Sequence, residues 1–200
     1  YMADAVRRTL FSSDFIGEIN PNTDGWTVEF IPWEDPANQT RNRTLSPTTG
    51  WRFLQGNGTS RGRLIGGCIE VLDWLRGTDF WPDAAAWQDA ILFIETSEEA
   101  PLPCIVERIL RVLAAMGVLK KLNGLIFGRP GGDFPPERFA EYDQAILQVI
   151  REEEGLDDLP VVTNMDFGHT DPMFVLPYGI EAMIDVDAGT FSIVENAVTD

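Results

Sequence analysis

Apolar residues cluster in three short runs in the second half of the chain. The runs are ILFIE at 91–95, GLIFG at 124–128 and PVVTN at 160–164. Continuous apolar runs of this length, bounded by turn residues, are typical of strands that are buried on both faces. The sequence therefore predicts three core strands.

Two longer segments between these runs carry apolar residues at helical spacing. Residues 102–117 end at Gly117, and residues 135–155 begin with two prolines, which are ordinary helix stop and start signals. The inward faces are expected to hold Ile105, Ile109, Val112, Leu113 and Met116 in the first helix and Phe139, Tyr142, Ile146 and Ile150 in the second. Both segments therefore predict amphipathic helices.

Strand, helix, strand, helix, strand is the order of two crossover connections on a parallel sheet. After it, residues 181–195 alternate around an Asp-Ala-Gly turn and predict an antiparallel hairpin. The predicted fold class is α/β, with a parallel central sheet, crossover helices and a C-terminal antiparallel hairpin.

The first 64 residues are rich in Pro, Gly, Asn and Thr, and they predict an irregular segment of short strands and loops that packs on the core. Within it, only residues 25–31 (GWTVEFI) alternate as a strand does. A short helix is expected after Gly66 and Gly67, ending at Gly77. Residues 65–200 then form the main domain.

Composition narrows the classes of partner and the compartment. The formal net charge is −17, which disfavours attraction to phosphate backbones and to anionic membranes, so we expect neither nucleic acid nor a membrane as partner. No apolar run approaches the roughly 20 residues of a membrane helix. With only two cysteines and no signal segment at its start, the chain is expected to be cytoplasmic.

The ends of the predicted strands bring two candidate catalytic residues together. Glu95 closes the first strand, and His169, the only histidine, lies just beyond the third. Ligands of open parallel sheets bind outside the carboxyl ends of the strands, and a carboxylate beside an imidazole orients a general base. The alternatives are a loop histidine bonded to backbone and a Glu95 that only adds charge to a capping box at residues 96–99.

Other motifs are weaker as sites. Gly58 to Gly62 (GTSRG) matches the nucleophile elbow, but it lacks the strand-to-helix context, so a surface turn is favoured for Ser60. Residues 129–132 (RPGG) fit either an anion-binding turn or a plain loop. Cys68 and Cys104 lack an adjacent base in the sequence and are expected to be buried thiols rather than nucleophiles. No metal or organic cofactor is expected, because the lone histidine has no set of ligands at metal spacing.

Four ordered blocks resemble the C-terminal domain of the LD-carboxypeptidase and microcin-immunity family of serine peptidases: GRLIGGCIEVLDWLRGT, AILFIETSEE, GVLKKLNGLIFGRP and PVVTNMDFGHTDPMFVLPYGIEAMIDV. The resemblance implies a swivelling β/β/α domain that supplies Glu95 and His169 to a serine on a separate N-terminal α/β domain. The four blocks do not include that domain, so this chain is expected to be half of such an enzyme. It also has Cys68 where the family commonly has Asn in a Gly-Gly-Asn sequence.

By this resemblance the intact protein hydrolyses a peptide or amide bond in a murein tetrapeptide or a microcin-like peptidyl-nucleotide, and this chain alone is expected to be inactive. A homodimer is also expected. The competing hypothesis is a non-catalytic module that binds peptides or dimerises, for which Trp26, Trp33, Trp51 and Trp81 would form a recognition surface.

Overall fold

The computed structural model describes residues 1–199. Four α-helices span Met2–Leu10 (α1), Ile69–Trp74 (α2), Pro103–Ala115 (α3) and Ala140–Leu147 (α4). Eight strands span Gly17–Ile19 (β1), Arg52–Gln55 (β2), Thr59–Cys68 (β3), Ile91–Glu95 (β4), Gly124–Gly128 (β5), Val161–Met165 (β6), Glu181–Asp185 (β7) and Thr190–Ile193 (β8). Short 3₁₀ turns lie at Pro36–Asn38, Leu119–Lys121 and Pro136–Arg138.

The strands form one mixed sheet in the order β1-β8-β7-β3-β4-β5-β6-β2. Strands β3 to β6 are parallel to one another, and the remaining pairs are antiparallel. β3 belongs to both the antiparallel and the parallel part of the sheet. Its first half, from Thr59, pairs with β7, and its second half, from Leu64, pairs with β4. The predicted α/β class, the parallel strands, their crossover helices and the hairpin β7–β8 are all confirmed.

Successive residues of the parallel strands enter two different cores. In β4, Leu92 and Ile94 belong to the core beneath α3 and α4, whereas Ile91 packs in a second core with Ile184 of β7 and Phe191 of β8. Because neighbouring side chains of a strand point to opposite faces, the strand must be apolar throughout to fill both cores. The helices thus cover one face of the parallel strands and the antiparallel strands cover the other.

The second predicted helix is confirmed in extent and in its buried face, although it changes character along its length. α4 continues as a π-helical segment, Gln148–Glu153. All four residues predicted to point inward are buried.

The predicted inward face of the first helix was partly wrong. The buried residues of α3 are Val106, Ile109, Leu110 and Leu113, at helical positions i, i+3, i+4 and i+7. Met116 is 45% exposed. The reason is that α3 ends at Ala115, so Met116 lies in the turn that Gly117 completes with a positive φ of 72°.

The predicted strand at residues 25–31 was also wrong. Only Trp26 and Thr27 make isolated β-bridges, with Ser46 and Asp171. The Glu29 carboxylate instead receives the backbone N–H of Thr44. Alternating residues form a strand only where a neighbouring strand is available, and here the neighbours are loops.

Helix α1 and strand β3 fall largely within the segment that the sequence predicted to be irregular. β3 contains three glycines and runs through residue 64, the expected end of that segment. A Cβ on Gly66 would lie 1.6 Å from the carbonyl oxygen of Phe93, and one on Gly62 would lie 2.2 Å from that of Asp89. The glycines therefore allow the backbone of β3 to lie close to β4 and to Asp89, which precedes β4. In the sequence, such a group of glycines resembles a turn.

A buried ion pair joins the ends of two central strands to the N-terminal loops. Arg129 follows β5 and Asp166 follows β6; both side chains are 1% exposed, and Arg129 Nη2 donates to Asp166 Oδ1 at 2.5 Å. The other carboxylate oxygen accepts from the Asn22 backbone N–H at 2.9 Å and from Trp51 Nε1 at 2.7 Å. The guanidinium also lies 5.3 Å from the ring centroid of Trp26. This contact orders the start of the loop that carries His169.

None of the helices within residues 1–199 combines the length and apolar character that crossing a bilayer requires.

We predict that Arg129→Met destabilises the fold by about 3–5 kcal/mol, because it leaves the Asp166 carboxylate buried without its partner. Urea unfolding of the variant measures this loss. Lys120→Met is the control, since Lys120 pairs with Glu154 at 3.2 Å on the surface, and its loss should change the unfolding free energy little. Equal effects of the two changes would contradict the prediction.

Candidate active site

Glu95 is the last residue of β4 and lies opposite Cys68, the last residue of β3. It is only 7% exposed. A carboxylate in this position is costly unless it has a hydrogen-bonding partner. The Glu95 carboxylate therefore needs a hydrogen-bond donor nearby.

His169 supplies that donor. Its Nδ1 lies 2.7 Å from Glu95 Oε2, and the imidazole remains 40% exposed. The predicted proximity of the two residues, which are 74 positions apart in the chain, is confirmed. A carboxylate at Nδ1 sets the tautomer and orientation of the ring, so that Nε2 is the nitrogen available for proton transfer.

Two glycines make room for this pair. Gly168 has a φ of 98°, and a Cβ there would lie 2.7 Å from Glu95 Cβ and 2.8 Å from its Oε2. A Cβ on Gly128, at the end of β5, would lie 2.9 Å from Glu95 Cβ and 2.5 Å from the carbonyl oxygen of Phe167. Any larger residue would push the carboxylate and the histidine loop apart.

Burial raises the pKa of Glu95 above its ordinary value, because a charged carboxylate loses hydration there. The hydrogen bond and the charge of His169 act in the opposite direction without cancelling the effect of burial, and the charge of Glu70 adds to it. Among the groups around Glu95, His169 favours its charged form most.

Burial lowers the pKa of His169, but the hydrogen bond and charge of Glu95, with the charges of Glu98 and Glu70, outweigh it and raise the pKa overall. Glu98 is directly involved, since its Oε2 lies 3.2 Å from His169 Nε2. Two carboxylates, one at each ring nitrogen, favour the imidazolium form, which donates from both. The Glu98 side chain is 76% exposed, so it is free to move away from Nε2.

The capping box considered for residues 96–99 is not formed. α3 begins only at Pro103, and no side chain caps it. Instead the hydroxyl of Ser97 donates to Glu70 Oε1 at 2.6 Å. Sequence reasoning missed Glu70 altogether, because the signal that links it to the site is a hydrogen bond across 27 positions.

Ser60 lies far from the pair. Its hydroxyl donates to the carbonyl oxygen of Asn123 at 2.5 Å, at the start of β5. Glu95 is the last residue of β4, which runs parallel to β5. The length of these strands, about 15 Å, therefore separates Ser60 from Glu95. Ser60 is part of strand β3 rather than of a surface turn, and it cannot serve His169.

The remaining candidates have structural roles. The side chain of Arg129 already binds Asp166, so it is not available to an anion in the 129–132 turn. The expectation that both thiols are buried was wrong for Cys104, which is exposed at the start of α3, whereas Cys68 is half-buried. Burial raises the pKa of Cys68 to about 11. Among residues 1–199, no group of three or more His, Cys, Asp or Glu side chains is arranged to hold a metal ion.

An exposed aromatic surface lies beside the histidine loop. Phe30 is 81% and Trp33 is 76% exposed, and together with Arg41 and Arg43 they line a shallow cavity of about 630 Å³. Arg43 forms an ion pair with Asp171, two residues beyond His169. Of the four tryptophans considered for a recognition surface, Trp26 is buried and Trp33 is exposed. Trp51 and Trp81 are half-buried.

The sequence pattern of the LD-carboxypeptidase C-terminal domain matches residues 61–184. A Synechocystis protein named as a carboxypeptidase is 32% identical over 148 residues, which are 74% of this chain and 46% of that protein. The microcin C7 self-immunity protein MccF of Escherichia coli is 29% identical over 175 residues, 85% of this chain and 46% of MccF. The chain thus spans about half the length of these relatives.

A crystal structure of an MccF-like protein from Streptococcus pneumoniae in complex with AMP has a similar fold. Its TM-score is 0.79 at 26% sequence identity, and the match covers 96% of this chain and 57% of the other.

We predict that Glu95→Gln lowers the pKa of His169, because the change removes the negative charge that stabilises the imidazolium. As the only histidine, His169 gives an NMR titration that needs no resolution from others. Since its folded pKa is raised, the stability from this contact is fully present below the unfolded pKa of about 6.5. It is lost as the pH rises through the folded value, and in Glu95→Gln this pH dependence should shrink. A titration that coincides with that of the unchanged chain would contradict the assignment.

Proposed function

Because this chain belongs to the LD-carboxypeptidase family through its C-terminal domain, we propose that it supplies Glu95 and His169 to a Ser-Glu-His triad that hydrolyses a peptide or amide bond. The observation that carries the proposal is the contact of 2.7 Å between His169 Nδ1 and Glu95 Oε2. It leaves Nε2 on the exposed side of the ring, where a nucleophile supplied by another domain can reach it.

The serine is proposed to come from a separate N-terminal domain, on which the intact protein also relies for its oxyanion donors. Support for this comes from the match to half the length of the relatives and from the remoteness of Ser60 from His169. Residues 65–200 then act as the half that holds the base, with residues 1–64 packed against it.

In the proposed reaction His169 Nε2 accepts the serine proton while the serine oxygen bonds to the acyl carbon. His169 then returns the proton to the leaving amine, the C–N bond breaks, and water releases the acyl group by the same steps. Glu95 stabilises the imidazolium that forms twice in this cycle. Glu98 must leave Nε2 before the serine can bind there.

Two substrate classes fit the family: a murein tetrapeptide and a microcin-like peptidyl-nucleotide. The exposed Trp33 and Phe30 beside the histidine loop favour the second. An aromatic ring stacks on a nucleobase. The related pneumococcal protein is described with AMP bound, which agrees with this choice.

For the chain alone we predict no hydrolysis of either substrate class, whereas the intact protein with its serine domain is active. In the intact protein Glu95→Gln should lower kcat about 10⁴-fold, since the orientation and charge of the base are lost, and His169→Ala should act at least as strongly. Ser60→Ala is the control and should leave kcat unchanged. Turnover by the isolated chain that Ser60→Ala abolishes would overturn the proposal, and an inactive intact protein would favour the peptide-binding module instead.

We also predict that Trp33→Ala weakens AMP binding about tenfold or more, because a stacked base contributes ~1–3 kcal/mol. Calorimetric titration of the intact protein with AMP measures this. Phe11→Ala is the control: Phe11 is 79% exposed but lies at the end of α1. An equal loss in both variants, or in neither, would argue against a nucleotide at this surface.

A homodimer and a cytoplasmic location complete the proposal. Apolar side chains exposed on and after α2, Val71, Trp74 and Phe80, support self-association of the isolated chain. Salt should strengthen it, because salt screens the repulsion of a −17 net charge. Sedimentation at low and high salt checks this, and a monomer under both conditions would contradict it. The two free thiols support a reducing compartment, which fractionation of cells tests.

A further inference from the structure

A side chain of helix α2 binds the turn that follows Glu95. The backbone N–H of Ser97 donates to Glu70 Oε1 at 3.2 Å, and its hydroxyl donates to the same oxygen at 2.6 Å. Glu70 lies in the first turn of α2, which directly follows β3. One carboxylate oxygen thus joins α2 to the residue two positions after Glu95.

The second oxygen of Glu70 binds on the opposite side. Cys68 Sγ donates to Glu70 Oε2 at 3.4 Å, and Cys68 pairs with Glu95 across the parallel strands β3 and β4. Because the raised pKa of Cys68 keeps the thiol protonated, it can donate. Glu70 therefore contacts the last residue of β3 and the turn that follows β4, on either side of Glu95.

We propose that Glu70 is a positioning residue for the Glu95–His169 pair, which it orients by fixing Ser97 and Cys68 on either side of Glu95. This inference rests on the proposed function for its catalytic meaning, and the contacts themselves can be tested without it. Glu98, which lies 3.2 Å from His169 Nε2, immediately follows Ser97, so Glu70 also sets the starting point of that side chain.

The negative charge of Glu70 also acts on Glu95 and His169. It contributes to the raised pKa of both His169 and Glu95. A role confined to α2 is the competing explanation, because an acidic residue in the first turn stabilises any helix. The two explanations differ in what happens to Ser97 and His169 when Glu70 is changed.

Two variants separate hydrogen bonding from charge. Glu70→Ala removes the acceptor, and the amide of Ser97 should exchange with solvent about tenfold faster or more, as expected for loss of a hydrogen bond to a charged group. Glu70→Gln keeps an oxygen for Ser97, so exchange should stay slow. Both variants should lower the pKa of His169 in its NMR titration, because both remove the charge.

Glu99→Ala is the matched control. Glu99 lies in the same turn, and its backbone N–H bonds to Ser97 Oγ without its side chain contacting Glu70 or His169. It should change neither readout. If Glu70→Ala and Glu70→Gln leave Ser97 exchange and the His169 titration as they are in the unchanged chain, the proposal is overturned and Glu70 serves α2 alone. If Glu70→Ala fails to fold, the His169 titration of Glu70→Gln decides, and a titration that coincides with that of the unchanged chain overturns the proposal.

The kinetic arm uses the intact protein. Glu70→Ala should lower kcat with KM little changed and shift the acidic limb of the pH profile to lower pH, whereas Glu70→Gln should restore much of kcat. If the intact protein proves inactive, the proposed function fails while the NMR results still decide the role of Glu70. Active protein with an unchanged pH profile in both variants would overturn the positioning role alone.

Discussion

The buried contact between Arg129 and Asp166 fixes three parts of the molecule at once. It joins the end of β5 to the end of β6, and through Asp166 it holds the loops at Asn22 and Trp51. A buried carboxylate with one charged and two neutral donors has its oxygens satisfied, which makes the arrangement tolerable in a dry environment. The histidine loop leaves the sheet from this anchored residue, so the position of His169 depends on a contact that lies outside the site.

The site itself combines close packing with an excess of negative charge. Gly128 and Gly168 let the histidine loop approach Glu95 to within hydrogen-bonding distance. Glu70 and Glu98 then surround the imidazole with further carboxylates. The consequence is an imidazole that Glu95 orients at Nδ1 and whose protonated form the neighbouring carboxylates favour.

The sequence predicted the elements that are apolar and regular, and it predicted the pair at their ends. β4, β5 and β6 were readable because burial on both faces makes them continuous apolar runs, and the hairpin was readable because its residues alternate around a turn. The order of the strands placed Glu95 and His169 at one edge. Strand β3 was not readable, since Gly62 and Gly66 are present for backbone contact with its neighbour and in a linear sequence resemble a turn. The roles of Glu70 and Ser97 depend on a contact between distant positions, which no local period records.

The double use of β3 also bears on how the chain acquires its structure. Its first half pairs with β7, which lies more than 110 positions later in the sequence. Strand β1 pairs with β8, with Gly17 opposite Ile193. Pairings of such high contact order close large loops and slow folding. During synthesis the edges of β1 and of the first half of β3 therefore stay open until β7 and β8 have emerged from the ribosome, and open strand edges favour aggregation in that interval.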